Sequence, residues 1–227
     1  MDKKTIASMI DHAVLKPDAT DEDIVRECAT ALKCQVASVC VKPCHVEQAY
    51  ELLKNSIVKV CTVIGFPHGS TTTGCKVFEA IECIELGAME LDMVINIGKL
   101  LSGDFEYVEN DIRQVANVVH KKGALLKVII ETSLLSDEMK TTACRLAEKA
   151  ETDFVKTSTG FNGGGAAIRD IQIMKDSVGP KVRLKASGGI KTFGQAVEFA
   201  RAGCSRLGTS NTESILSNEV RDKSPEY

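Results

Sequence analysis

The sequence has no tryptophan, and aromatic residues make up only 4% of its 227 residues, so a core must be built from aliphatic side chains. It has no apolar run near the roughly 18 residues that a membrane-spanning helix needs. Its first residues, MDKKTIASMIDH, lack the apolar stretch of a secretion signal. A formal net charge of −3 gives no positive field to attract a nucleic acid. The sequence therefore predicts a cytoplasmic protein whose partners are neither membranes nor nucleic acids.

The nine cysteines do not form the pattern of a disulfide framework, because their number is odd and the chain is not small. One cluster, Cys40-Val-Lys-Pro-Cys44-His45, has the thiols and imidazole of half a zinc site. No second CxxC or HxxxH pair completes such a site. We therefore predict reduced, mostly buried thiols, no bound metal and no cofactor.

Short apolar, β-branched runs alternate with longer segments of helical periodicity along the chain. Eight such runs read as strands buried on both faces, as in a parallel sheet covered by helices. Their alternation with helices predicts an α/β fold, a single (β/α)8 TIM barrel over residues 1–216. A doubly wound open sheet is the alternative, and residues 217–227 read as a mobile, charged tail. The predicted strands are 9–14, 36–41, 58–64, 88–95, 125–131, 152–158, 182–186 and 204–208.

The segments between the strands carry the start and stop signals of helices. A first helix is predicted after a Thr20 cap, and Asp104 and Ser136 are further cap candidates. Gly87, Gly123 and Gly203 fall where helices end in a left-handed residue. The other predicted helices are 73–86, 105–121, 137–150, 166–177 and 193–202.

Charged residues inside the predicted strands are costly to bury unless they are paired. Glu90 and Asp92 are two residues apart and share one side of a strand, and we expect Asp92 to point into the barrel. Lys127, Lys156 and Lys185 occupy three neighbouring strands. Crowded, desolvated ammonium groups favour the neutral amine and lower the lysine pKa, and a neutral amine attacks carbonyls to form a Schiff base. The alternative is purely structural, with carboxylates such as Asp92 neutralising each lysine.

Glycine-bearing turns follow the last strands, where TIM barrels commonly bind phosphate. Ser187-Gly188-Gly189 follows the seventh strand, Gly208-Thr209-Ser210 follows the eighth, and Thr159-Gly160 follows the sixth. The NGGG stretch at 162–165 lacks the spacing of a nucleotide-binding loop and reads as a flexible βα loop. The turns predict a phosphate site at the carboxyl end of the barrel.

The motifs IDHAVLKPDAT, TVIGFPHG, ELDMVINIG, LKVIIET, VKTSTGF, KASGGI and LGTS resemble deoxyribose-phosphate aldolases over nearly the whole chain. The resemblance implies a metal-independent class I aldolase that reversibly cleaves 2-deoxy-D-ribose 5-phosphate to D-glyceraldehyde 3-phosphate and acetaldehyde. It implies that Lys156 forms the Schiff base, that Lys185 perturbs it and that Asp92 transfers protons. Asp11 corresponds to an early aspartate of the family. The phosphate-binding positions implied are Gly160, Gly188, Gly189, Gly208 and Ser210.

Three positions depart from the family pattern. Ala13 occupies a position where the family often has threonine, Lys42 one where asparagine is common, and Asn211 one where serine is common. None of these three departures removes a side chain that the resemblance implies in catalysis. We therefore expect them to affect the affinity for the substrate more than the type of reaction. Two rival functions stay open, a transaldolase-like sugar-phosphate lyase and a non-catalytic phosphosugar sensor. A homo-oligomer, dimer or tetramer, is compatible with the sequence, and Tyr227 is a candidate proton carrier in the tail.

Overall fold

The computed structural model describes residues 1–217, which contain a closed barrel of eight parallel strands paired in chain order. Asp11 on the first strand lies opposite Gly208 on the last, and this pairing closes the sheet. The predicted TIM barrel is therefore confirmed, and the open-sheet alternative is wrong. The strands are β1 (Ile10–Val14), β2 (Ser38–Val41), β3 (Lys59–Ile64), β4 (Glu90–Val94), β5 (Leu125–Ile129), β6 (Phe154–Lys156), β7 (Arg183–Ser187) and β8 (Cys204–Thr209).

Helices cover the outside of the barrel, and 3-10 turns at Pro43–His45 and Thr132–Leu134 interrupt two connections. Every predicted helix is present within two residues of its predicted bounds. Four helices of eight residues or fewer were not predicted: Lys3–Ala7, Val46–Leu53, Ile97–Leu101 and Thr212–Leu216. The helices are α1 (Lys3–Ala7), α2 (Asp21–Cys34), α3 (Val46–Leu53), α4 (Thr73–Glu85), α5 (Ile97–Leu101), α6 (Phe105–Lys121), α7 (Asp137–Lys149), α8 (Ile168–Ser177), α9 (Phe193–Ala202) and α10 (Thr212–Leu216).

Local hydrogen bonds explain where the longer helices begin. Thr20 starts α2 with a capping box, because its side chain accepts from Asp23 N while the Asp23 carboxylate accepts from Thr20 N. Asp104 and Ser136 cap α6 and α7 as predicted. None of the helices within residues 1–217 is long and apolar enough to cross a membrane.

The two faces of β4 show how the fold separates apolar packing from charge. Leu91 and Met93 are fully buried in the apolar core between the sheet and the helices. Glu90 and Asp92 alternate with them and contact charged groups of other strands inside the barrel. The prediction that the two acids share the inner side is confirmed. The predicted tail lies outside the described residues from position 218 onwards, and so does Tyr227.

A buried ion pair in the helical layer also supports β4. The Lys76 ammonium lies 2.5 Å from Asp111 Oδ2 and donates to the Val94 carbonyl at 3.0 Å, so it links α4 and α6 to the end of β4. Both side chains are fully buried. Burial lowers the pKa of Lys76 although the charge of Asp111 opposes this shift.

We expect Lys76→Met to lower the free energy of unfolding by about 3 kcal/mol, because the Asp111 carboxylate would stay buried without its cation. Lys99→Met is the matched control, since the Lys99–Asp104 pair is exposed to solvent and should contribute far less. Urea unfolding of both variants measures the difference. Equal effects of the two substitutions would contradict the role of the buried pair.

Candidate active site

A cavity of about 760 Å³ opens at the carboxyl ends of the strands. Three of the predicted catalytic side chains, Asp11, Lys156 and Lys185, reach its wall. Asp92 lies directly beneath it and is fully buried. All five predicted phosphate-binding residues line the same cavity: Gly160, Gly188, Gly189, Gly208 and Ser210.

The carboxylate of Asp92 is shared by three lysines. Its Oδ2 accepts from the Lys156 ammonium at 2.7 Å and the Lys185 ammonium at 2.6 Å, and its Oδ1 accepts from Lys127 at 2.9 Å. The strand register brings these groups together, because Asp92 pairs with Lys127 and Lys156 pairs with Lys185. The three lysines predicted to meet inside the barrel therefore meet on one carboxylate.

A second layer of charge adjoins these lysines, and sequence reasoning missed its main cation. Arg206 Nη1 donates to Asp11 Oδ1 at 2.6 Å, and both terminal nitrogens of its guanidinium bind the Glu90 carboxylate at 2.7 Å. Glu90 also lies 2.7 Å from the Lys127 ammonium. The sequence did carry a signal for this role. Arg206 lies two residues before Gly208, and residues two apart on a strand lie on the same side, so Arg206 shares the inner side of β8 with Gly208.

The cluster has one more cation than it has carboxylates, and its lysines differ in how fully they are paired. Within residues 1–217, Lys127 has three carboxylates in ion-pair contact, Lys185 has two and Lys156 has only Asp92. Lys156 is therefore the least tightly ion-paired of the three. The cations are Lys127, Lys156, Lys185 and Arg206, and the carboxylates are Asp11, Glu90 and Asp92.

For two of the lysines, the expectation that crowding lowers the pKa is wrong. Burial favours the neutral amine of Lys185, but the charges of Asp11 and Asp92 outweigh burial and raise its pKa. The pKa of Lys127 is raised against burial in the same way, chiefly by Asp92. Burial acts to raise the pKa of Asp92, yet the three lysines hold it well below its ordinary value. Lys127 and Lys185 are therefore ammonium groups beside an ionised carboxylate.

Glycines in two of the turns give backbone conformations or close contacts that a side chain would disturb. Gly188 and Gly189 have left-handed φ angles of 89° and 79°. A Cβ at Gly208 would lie 2.3 Å from Ser187 Oγ and 3.3 Å from Lys185 Cε, so a side chain there would displace Ser187 and crowd Lys185. The backbone can thus approach an anion closely at this end of the cavity.

The three departures from the family pattern lie at or near the cavity. Ala13 and Asn211 line it directly. The Lys42 ammonium donates to the carbonyls of Lys16 at 3.0 Å and Pro17 at 3.1 Å. Lys42 therefore holds the β1–α2 loop, which forms part of the cavity wall.

The cysteine cluster of the sequence does not converge on one point. Cys40 is buried in the barrel, Cys44 is exposed, and His45 lies 3.5 Å from Asp21. A different group, Cys40, Cys61 and Asp92, has ligand atoms within 4.8 Å of one another. A divalent cation there would have to displace ammonium groups from Asp92, so the charge around this group disfavours metal binding.

The fold and the buried lysine–carboxylate cluster define a class, the barrel enzymes whose chemistry depends on a lysine amine. The model of the DeoC/LacD family aldolases matches residues 5–210. A deoxyribose-phosphate aldolase of Clostridium kluyveri is 52% identical over 219 residues, which cover 96% of this chain and 100% of the relative. The chain belongs to the DeoC/LacD family of aldolases.

A further relative and a solved structure agree with this assignment. A deoxyribose-phosphate aldolase of Thermococcus kodakarensis is 52% identical over 95% of this chain and 97% of its own length. A solved structure, described as a tetrameric deoxyribose phosphate aldolase from Aeropyrum pernix, superposes with a TM-score of 0.88 at 31% identity. It covers 95% of this chain and 91% of that one.

The pairing of the buried carboxylates should be visible in how the free energy of unfolding changes at acidic pH. Burial acts to raise the pKa of Asp11, but Lys185, Lys127 and Arg206 hold it well below its ordinary value of 3.8. Stabilisation from this lowered pKa is complete above 3.8 and is lost as pH falls towards the native pKa. We expect Asp11→Asn to cost about 3 kcal/mol near neutral pH and less towards about pH 2.5.

Urea unfolding of wild type and Asp11→Asn across this pH range measures the difference. Asp176→Asn is the matched control, because it also removes one carboxylate but at an exposed position near the end of α8. A difference between wild type and Asp11→Asn that stays constant down to the lowest pH would contradict the lowered pKa of Asp11.

Proposed function

We propose that the chain is a metal-independent class I aldolase that reversibly cleaves 2-deoxy-D-ribose 5-phosphate to D-glyceraldehyde 3-phosphate and acetaldehyde. The observation that carries the proposal is Lys156, which reaches the cavity wall and has a single carboxylate partner. The names of the relatives supply the substrate, and the five phosphate-binding candidates around the cavity suit its phosphate end.

In the proposed mechanism, the neutral Lys156 amine attacks the aldehyde carbon of the open-chain sugar. One proton delivered along the Lys185–Asp92 path lets the former carbonyl oxygen leave as water and gives a protonated imine. The C2–C3 bond then breaks, its electron pair moves into the imine as an enamine, and a base takes the proton of the C3 hydroxyl. Glyceraldehyde 3-phosphate leaves. Protonation of the enamine carbon and hydrolysis of the imine release acetaldehyde and restore Lys156.

Charge balance explains why Lys156 rather than its neighbours would be the nucleophile. When Lys156 gives up its proton, three cations face three carboxylates in the cluster. Asp92 accepts hydrogen bonds from both Lys156 and Lys185, so a proton can pass along this path. We assign Lys156 to the imine, Asp92 and Lys185 to proton transfer, and Asp11 to holding Lys185 at 2.5 Å.

The phosphate would bind in the same cavity, through backbone N–H groups of the turns that follow the strands of Lys156 and Lys185. Gly188, Gly189 and Gly208 follow β7 and β8, and Gly160 and Ser210 complete the cradle. Lys156 lies only a few residues before Gly160, so a substrate anchored there would present its carbonyl to the amine.

Product identification separates the proposed reaction from its rivals. Incubation with 2-deoxyribose 5-phosphate should release acetaldehyde and glyceraldehyde 3-phosphate, and a chelator should leave the rate unchanged. Different carbonyl products would indicate a transaldolase-like lyase, and binding without turnover would indicate a sensor. We further propose that residues 1–216 form one catalytic domain in the cytoplasm and that the chain is a homo-oligomer. The Aeropyrum pernix relative is described as tetrameric.

Two lysine substitutions test the assigned roles. Lys156→Ala should abolish turnover because the neighbouring Lys127 and Lys185 are held as ammonium groups by their carboxylates. Lys185→Leu should lower kcat by about 100-fold or more, the usual contribution of acid–base groups, with residual activity shifted to higher pH. Lys181→Leu is the matched control, because Lys181 is exposed and lies two residues before the start of β7. Steady-state rates across pH measure all three, and full activity of Lys156→Ala would overturn the assignment.

A further inference from the structure

Glu131, directly after β5, is a fully buried carboxylate that binds one loop. Its Oε2 accepts hydrogen bonds from the backbone N and the hydroxyl of Thr159, and from Asn162 Nδ2 at 2.9 Å. Oε2 is therefore bound by three donors of a single segment, residues 159–162, whereas the buried Oε1 has no hydrogen-bond partner within residues 1–217. Within residues 1–217, no cation lies in ion-pair contact with it. Such an arrangement is typical of a side chain that fixes a loop.

The backbone of Glu131 is held in a conformation that a glutamate rarely adopts. Its φ of 55° and ψ of 68° place it in the left-handed region. Its neighbours are tied to β6, because Ile130 N donates to the Lys156 carbonyl and Thr132 N donates to the Thr157 carbonyl, both at 3.0 Å. Strained backbone of this kind persists only where the surroundings enforce it, and it concentrates at functional sites.

The loop that Glu131 binds is part of the cavity wall. Thr159, Gly160 and Phe161 all line the cavity. The Thr159 hydroxyl, which contacts Glu131, also accepts from Phe161 N at 3.1 Å, so the carboxylate orders the turn around Gly160. Gly160 itself has a φ of 85°, and no atom lies within 4 Å of the position that a Cβ would occupy there. The turn is therefore held by contacts of the residues on either side of Gly160.

We propose that Glu131 is a positioning residue that sets the loop 159–162 for binding of the sugar phosphate. This inference rests on the proposed function, since it takes Gly160 as part of the phosphate cradle. Glu131 acts through Thr159 and Asn162 and does not touch the substrate. Its loss should loosen the phosphate end of the cavity while leaving the lysine cluster around Asp92 intact.

The experiment compares Glu131→Leu with Glu131→Gln. Glu131→Leu removes the acceptor and should raise KM for 2-deoxyribose 5-phosphate about 10- to 100-fold, as for loss of one or two charge-assisted hydrogen bonds. Its kcat, and its kcat/KM for unphosphorylated 2-deoxyribose, should change by no more than about 3-fold. Glu131→Gln keeps an oxygen for the same donors and should restore most of the affinity.

Glu151→Leu is the matched control, because Glu151 also has a left-handed φ, of 65°, but is exposed at the other end of the barrel. If Glu131→Leu does not fold, Asn162→Ala removes one donor of the loop and should raise the same KM by a smaller factor. Equal losses for the phosphorylated and the free sugar, or no rescue by Glu131→Gln, would overturn the positioning role.

A binding measurement keeps this inference separable from the proposed function. Inorganic phosphate should raise the Tm of the wild type, and Glu131→Leu should need about 10 times more phosphate for the same rise. If the wild type cleaves no 2-deoxyribose 5-phosphate, the proposed function fails while this comparison still tests the loop. If wild type and Glu131→Leu respond equally to phosphate, the positioning role fails.

Discussion

The carboxylate of Asp92 is the group on which the interior of this barrel depends. Three ammonium groups share its two oxygens, and none of these four side chains is exposed by more than a few per cent. Each charge would cost several kcal/mol to bury alone, so the lysines and the acid must be present together. The strand register makes this feasible, because β5 pairs Lys127 with Asp92, β7 pairs Lys185 with Lys156, and Lys156 lies opposite Ile129, two residues beyond Lys127.

The second layer of charge explains how one lysine can be less tightly held than the others. Arg206 binds Glu90 and Asp11, and these acids in turn pair with Lys127 and Lys185. Lys156 reaches the cavity, and Asp92 is its one ion-pair partner within residues 1–217. We therefore propose that the uneven distribution of carboxylates, more than simple repulsion between ammonium groups, determines which lysine reacts.

The sequence was sufficient for the barrel and for the position of the site. Apolar runs marked all eight strands, and the rule that parallel strands place chemistry at their carboxyl ends brought Lys156, Lys185 and the glycine turns to one cavity. Helix α3 was missed although Val46, Ala49 and Leu53 follow a helical repeat, because the segment is only eight residues long.

The electrostatics could not be predicted in the same way. The direction of the Lys185 pKa shift depends on whether Asp11 and Asp92 lie closer to it than the other lysines do, which only the three-dimensional distances decide. The role of Glu131 depends likewise on a left-handed backbone that no residue pattern announces. Composition and periodicity predict which face of a strand or helix a side chain lies on. Which side chains then form ion pairs with one another depends on the three-dimensional structure.

Reductive trapping tests the central claim, that Lys156 is the amine that carries the imine. The wild-type protein is incubated with acetaldehyde and borohydride, and its peptides are then mapped by mass spectrometry. Acetaldehyde should form an imine with the reactive amine, and borohydride reduces this imine to a stable ethylamine. We therefore predict a single ethyl group on the peptide containing Lys156. An ethyl group on Lys127 or Lys185 instead would contradict the assignment of the nucleophile to the least tightly paired lysine.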